Sequence, residues 1–134
     1  MKVLVDSNIL LDIFNRDPEW YEWSKEKLAE QANHASVVIN PVVFAEVSTS
    51  FSSLQKAQQT LRHANIKYVN ITQHACYLAE MAFKQYRKNG GNKLLPLPDF
   101  FIGAHAFVGK MHLLTRDKKS YKTYFPQVNL IAPN

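Results

Sequence analysis

The sequence predicts a three-layer α/β/α domain, with helices covering both faces of a central, mainly parallel sheet of about five strands. Three observations carry that prediction. Short apolar or β-branched runs alternate with helical segments along the chain. Cap and stop residues punctuate the junctions between them. The 134 residues, 46% of them apolar, are enough to bury one core, and no repeat, linker or compositional break divides them, so 1–134 reads as one domain.

Each element has its own local reason. Lys2–Val5 (KVLV) reads as a buried strand, and Ser7–Phe14 as a short helix capped by Asp6 or Ser7. Asp17-Pro18 restarts a helix running to about Gln31. Ser36–Ile39 (SVVI) is strand-like, and Asn40-Pro41 supplies a cap and first-turn proline for a helix through Val47. Ser52–His63 is amphipathic, and Ile66–Val69 is a third short strand. Thr72 caps a long helix that Gly90-Gly91 stops. Leu94–Pro98 is an irregular approach to a helix over Pro98–Val108. His112–Thr115 is a strand, and Val128–Ile131 another.

Composition narrows the class. No apolar run approaches the roughly 18 residues that span a bilayer, and the N-terminus lacks the pattern of a signal peptide. Cys76 is the single cysteine, which excludes an internal disulfide and a cysteine-based zinc cluster. A reduced, cytoplasmic setting without membrane attachment is the expectation. The net charge is +5, from 16 Lys and Arg against 11 Asp and Glu.

Four of those acids stand at segment ends, where open parallel sheets collect functional groups. Asp6 ends the first strand, and Glu46 lies on the helix leaving the second, among Val42, Val43, Phe44, Ala45 and Val47. Asp99 occupies the first turn of its helix, and Asp117 follows the HLLT strand. Singly, Asp6 reads equally as a cap, Asp99 as a favourable charge at a helix N-terminus, and Asp117 as a turn residue. Jointly they read as one acidic site in an otherwise basic surface. Two unit charges about 5 Å apart repel by roughly 3 kcal/mol at an effective dielectric of about 20. Such acids need raised pKa values or a cation.

All-oxygen donors suit Mg²⁺ or Mn²⁺ better than zinc. Ions of this kind activate water and neutralise charge in phosphodiester hydrolysis. Ser7, Asn8 and Thr115 flank two of the acids and are placed to orient carboxylates or water. Arg116, Lys118, Lys119 and Lys122 follow the fourth acid and are candidates to hold a phosphate backbone. A cap-and-turn role for the first set and a solvated basic turn for the second stay open.

In this order and spacing, VDSNILLD, NPVVFAEV, LPDFFIGAHA and LLTRD resemble the PIN-domain ribonucleases. The small single-domain form is most similar to VapC-type toxins of type II toxin–antitoxin systems. The resemblance runs from Val3 to about Ile131. It implies a PIN-like fold, with Asp6, Glu46, Asp99 and Asp117 as metal-binding and catalytic acids. Ser7 and Thr115 match recurrent hydroxyl positions. It further implies RNA cleavage that inhibits translation and growth, a cognate antitoxin inserting a peptide into the acidic groove, and a homodimer. Many relatives place a further acid shortly after the last Asp, where this chain has Lys118-Lys119-Ser120, so one ion or two stays open.

Other residues carry blander readings. Glu19, Glu22, Glu26 and Glu30 alternate with Lys25 and Lys27 on a solvated helix face. Asp12, Asp17 and Glu80 read as surface or turn residues, with Asp12 the outlier nearest the site. The five histidines lack metal-ligand spacing, and Cys76 reads as a packing residue. Trp20, Tyr21 and Trp23 read as helix-packing residues or as a contact with a second chain. Two competing functions remain: a catalytically idle PIN-like RNA-binding or scaffold module, and a PIN nuclease of RNA processing without an antitoxin. A phospho-accepting receiver domain is set aside, because Val69-Asn70-Ile71 offers no acceptor Asp after the third strand.

Overall fold

Alternating apolar strands and capped helices produce one wholly parallel sheet. A computed structural model describes residues 1–91 and 97–134. The strands are β1 (Lys2–Val5), β2 (Ser36–Ile39), β3 (Lys67–Tyr68), β4 (His112–Leu114) and β5 (Leu130–Ile131), in the order β3-β2-β1-β4-β5. Every neighbouring pair is parallel, with Val3 opposite both Val37 and His112. Val3, Leu4 and Val5 are each 0% exposed. Successive strand residues point to opposite faces, so both faces of β1 are covered, as the three-layer expectation requires.

The helices are α1 (Ser7–Phe14), α2 (Tyr21–Ala32), α3 (Pro41–Val47), α4 (Leu54–His63), α5 (Gln73–Lys88), α6 (Leu97–Val108) and α7 (Lys119–Lys122), with a 3₁₀ turn at Ser48–Ser50. Two predicted caps form, Asn40 accepting from the Val43 amide and Thr72 from Ala75, and Ser53, not predicted, caps α4 by accepting from Lys56. Gly90, at φ +77°, ends α5 in the left-handed region that favours glycine.

Several boundaries differ from expectation for local reasons. Asp17 does not begin a helix; its carboxylate accepts from the Glu19 and Trp20 amides in a turn, and α2 starts at Tyr21. The third strand shrinks to Lys67–Tyr68, since it lies at the sheet edge and pairs only with β2. The basic stretch after Asp117 is a short helix, not a solvated turn: Lys118, Lys119 and Lys122 face out while Ser120 and Tyr121 are buried. Helix α6 already includes Leu97 and Pro98, and the rest of the predicted irregular approach, Leu94–Pro96, lies outside the described residues.

Aromatic packing fixes α6, which carries Asp99. The Phe100 ring meets Phe83 at 5.2 Å, Tyr86 at 5.5 Å, Tyr124 at 5.6 Å and Phe125 at 6.1 Å. Gly103, one turn on, lets Phe125 lie against the helix backbone, where an added Cβ would stand 2.4 Å from the ring. The helix bearing Asp99 is thereby tied to α5 and to the segment after α7. No helix of the described residues is long and apolar enough to cross a membrane.

Candidate active site

The chain runs from β1 outward to β3, then returns to place β4 on the other side of β1. The strand order therefore reverses between β1 and β4, the place where open parallel sheets form their crevice beyond the C-terminal strand ends. Asp6 leaves β1 at this point, its amide donating to the Leu114 carbonyl at 2.9 Å. Thr115, Arg116 and Asp117 leave β4 beside it.

Asp6 stands at the N-cap position of α1, but its side chain makes no cap bond. The carboxylate faces the crevice floor instead, only 4% exposed. Its Oδ2 accepts from Thr115 Oγ1 at 2.8 Å, Tyr121 OH at 2.7 Å and Asn8 Nδ2 at 3.4 Å. Its Oδ1 has one long contact, Ser7 Oγ at 3.4 Å. The Ser7 hydroxyl is directed mainly to Glu46 Oε1, at 2.8 Å. Asn8 spans the crevice floor, accepting from the Arg116 amide at 3.2 Å and lying 3.4 Å from Thr115 Oγ1. Thr115 Oγ1 in turn accepts from the Asp117 amide at 3.0 Å. Asp117 accepts from the Lys119 amide at 3.1 Å and Ser120 Oγ at 2.6 Å, so it also starts α7.

The four acids share one electrostatic field. Burial is the main cause that raises the Asp6 pKa; hydrogen bonds from Tyr121 and Thr115 oppose it, and the charge of Asp117 adds to it. Glu46 is raised by burial, against the Ser7 hydrogen bond and with the charge of Asp6. Asp99 is pushed up to about 7, first by burial and then by Asp6, with smaller additions from Glu46 and Asp117 and some relief from Ser120. Tyr121 is raised well above the usual phenol range by burial and by Asp6, so it remains a protonated donor.

Among the described residues, no Lys, Arg or His forms an ion pair with any of these four acids. Among those residues, no group of three or more His, Cys, Asp or Glu side chains is arranged to hold a metal ion. Glu46 leans on Ser7 and Asp117 on Ser120. The donor chemistry nonetheless fits a hard divalent cation: carboxylate oxygens alone, mutually repelling and without a cationic partner.

Asp99 sets a pH dependence for the metal-free protein. Its folded pKa of about 7 lies above the ordinary 3.8. The native state therefore binds a proton that the unfolded chain does not, and stability rises as pH falls from 7 toward 4. His105 acts oppositely: buried beside Asn40, its Nδ1 3.1 Å from Asn40 Nδ2, it is held below the usual imidazole range and loses stability on acidification. Melting temperatures in EDTA separate the two. Asp99→Asn should raise the melting temperature at pH 8 and weaken the gain on acidification, and parallel wild-type and variant profiles would refute the burial of that charge.

The remaining sequence candidates divide. Lys118, Lys119 and Lys122 are exposed beside Asp117, where a phosphate backbone could reach them. Arg116 departs from that expectation. Its Nε and Nη2 each donate to Asp12 at 2.8 Å, and its guanidinium lies 5.3 Å from the Trp20 ring centroid. Asp12 departs with it: the surface reading is overturned, since it is 3% exposed and also accepts from Ser24 Oγ at 2.7 Å. Trp20 and Trp23 pack edge-to-face at 5.8 Å, beside this ion pair. The network is packing between α1, α2 and the Thr115–Asp117 loop.

Sequence reasoning missed Tyr121 and Ser120. A signal was present: Tyr121, Tyr124 and Phe125 recur at the i, i+3, i+4 spacing of an apolar helical face beside the exposed lysines, with buried Ser120 next to them. The lysines drew attention to charge and away from that apolar spacing.

Comparison with known proteins gives the fold and the family. Solved structures share the fold over nearly their full length. VapBC2 from Rickettsia felis, bound to a promoter DNA fragment, matches with a TM-score of 0.74 and 18% identity, covering 100% of each chain. A toxin–antitoxin complex from Klebsiella pneumoniae matches at 0.69 and 25% identity over 98% of each chain. VapBC-1 from nontypeable Haemophilus influenzae matches at 0.74 and 15% identity over 98% of each. No curated protein matches the sequence. The PIN domain family matches residues 3–126, which takes in all four acids, and the chain belongs to that family.

Proposed function

We propose that this chain is a divalent-metal-dependent endoribonuclease, acting with Mg²⁺ or Mn²⁺ and serving as the toxin of a type II toxin–antitoxin pair in the cytoplasm. The observation that carries the reading is the delivery of Asp6, Glu46, Asp99 and Asp117 to one crevice with no cationic partner among the described residues. The toxin assignment is supported by similar solved structures that are themselves toxin–antitoxin complexes. Residues 1–134 act as one nuclease domain.

When bound, the ion supplies Lewis-acid polarisation of a phosphate oxygen and lowers the pKa of water. The chain's own residues arrange the rest. Asp6, Glu46, Asp99 and Asp117 would hold the ion, with Ser7 aiming Glu46 and Thr115 aiming Asp6. Asn8 keeps the two strand ends in register. Lys118, Lys119 and Lys122 hold the RNA backbone at the crevice lip, while Arg116 is committed to Asp12. An apolar groove lined by Phe44, Leu54, Leu61 and Tyr68 beside edge strand β3 supports association with a second protein chain, a copy of this one or the antitoxin. Peptide insertion by that antitoxin would occupy the acidic crevice.

The test is cleavage of defined RNAs by the purified protein with MgCl₂, MnCl₂ or EDTA. Metal-dependent internal cleavage is expected, and chelation should stop it. RNA binding that persists in EDTA with no cleavage in either metal would replace the nuclease by an RNA-binding module.

A further inference from the structure

A carboxylate on a floor of donors does not offer its two oxygens equally. Asp6 Oδ2 takes two short hydrogen bonds, from Tyr121 OH at 2.7 Å and Thr115 Oγ1 at 2.8 Å, with Asn8 Nδ2 beyond at 3.4 Å. Those bonds consume the acceptor capacity of that oxygen. Oδ1 has only the long Ser7 contact, and the Ser7 proton is directed to Glu46. Tyr121 is itself immobile: it is 0% exposed, and α7 holds it from both sides, through Tyr121 N to Lys118 O and Phe125 N to Tyr121 O. Among the described residues, the Tyr121 hydroxyl has its hydrogen-bond partner in Asp6.

We propose that Tyr121 is a positioning residue for the metal site, locking Asp6 so that Oδ1 alone is presented to the divalent cation. The inference rests on the metal-dependent reading above and adds a residue to it. It also explains why a tyrosine is buried in the helix after Asp117. The same helix holds Asp117 through Ser120, so α7 sets two acids from the ends of neighbouring strands at once. Outer partners of this kind typically change metal affinity by about 10–100-fold when removed.

The experiment compares wild type and Tyr121→Phe by Mn²⁺ titration calorimetry, with RNA cleavage across a range of Mn²⁺ concentrations. Tyr121→Phe keeps the ring in the core, and its circular dichroism and EDTA melting curve report whether it folds. The expected result is Mn²⁺ affinity weakened by about tenfold or more. The Mn²⁺ concentration for half-maximal rate should rise in parallel, with KM for RNA unchanged and the rate recovering at high Mn²⁺. A tyrosine needed only for packing would leave the Mn²⁺ dependence alone, so affinity within about twofold of wild type overturns the proposal. If Tyr121→Phe does not fold, 3-fluorotyrosine at position 121 replaces it: a more acidic donor should alter Mn²⁺ affinity, and an unaltered value overturns the proposal equally. Failure of wild type to bind Mn²⁺ would overturn the metal-dependent reading along with it.

Discussion

Asp99→Asn should eliminate Mg²⁺- or Mn²⁺-dependent RNA cleavage while making the metal-free protein more stable near pH 8. The pairing of opposite signs is the informative part. Losing a partner that merely orients a ligand typically costs about 10–100-fold, so losing a ligand itself should lower kcat by at least about a hundredfold. Stability moves the other way because Asp99 is half-buried in the field of Asp6, Glu46 and Asp117, which holds its carboxyl near a pKa of about 7. A neutral amide removes that repulsion. The stabilisation by Mg²⁺ should shrink in the variant, since only a ligand that prefers the native state raises the melting temperature. Cleavage retained in Asp99→Asn, or a fall in its EDTA melting temperature at pH 8, would make Asp99 a structural residue of α6.

Arg116→Met should destabilise the fold severely without acting through RNA contact. The substitution leaves Asp12, 3% exposed, with the Ser24 hydroxyl as its remaining hydrogen-bond donor. Removing one partner of a buried ion pair costs about 3–5 kcal/mol, because the other charge stays buried. For a chain of this size that is a drop of roughly 10 °C or more in melting temperature. Adding Asp12→Asn to the variant should recover part of the loss, as the uncompensated charge is gone. Lys118→Ala and Lys119→Ala make the contrast: little change in melting temperature, but weaker and less salt-sensitive RNA binding. A melting temperature for Arg116→Met within about 2 °C of wild type would mean the pair contributes no more than an exposed one.

Much of the fold was legible because its signals are local. Asn40-Pro41 announces α3, Thr72 announces α5, and KVLV is too apolar to lie anywhere but inside the sheet. Two of the four acids were legible for a related reason: a parallel sheet delivers strand ends to one edge, where Asp6 and Asp117 leave β1 and β4, whereas Glu46 and Asp99 reach it from helices. Boundaries failed where a side chain competed with the helix, as Asp17 does by capping its own turn, or where an edge strand lacked a second neighbour, as at Lys67–Tyr68.

The sequence by itself determined which segments form strands and helices and which acids stand at or near their ends, since those follow from periodicity and caps; the strand pairing came from the structure. Only the tertiary structure decided partners. Asp12 and Arg116 are 104 residues apart, and Tyr121 is 115 from Asp6. The same aspartate can cap a helix, meet solvent or close a buried ion pair. Which of these wins depends on desolvation and on the donors that packing brings within about 3 Å. Asp6 shows both halves: its position was readable from six residues, and the choice of which of its oxygens faces the crevice was made by a tyrosine near the other end of the chain.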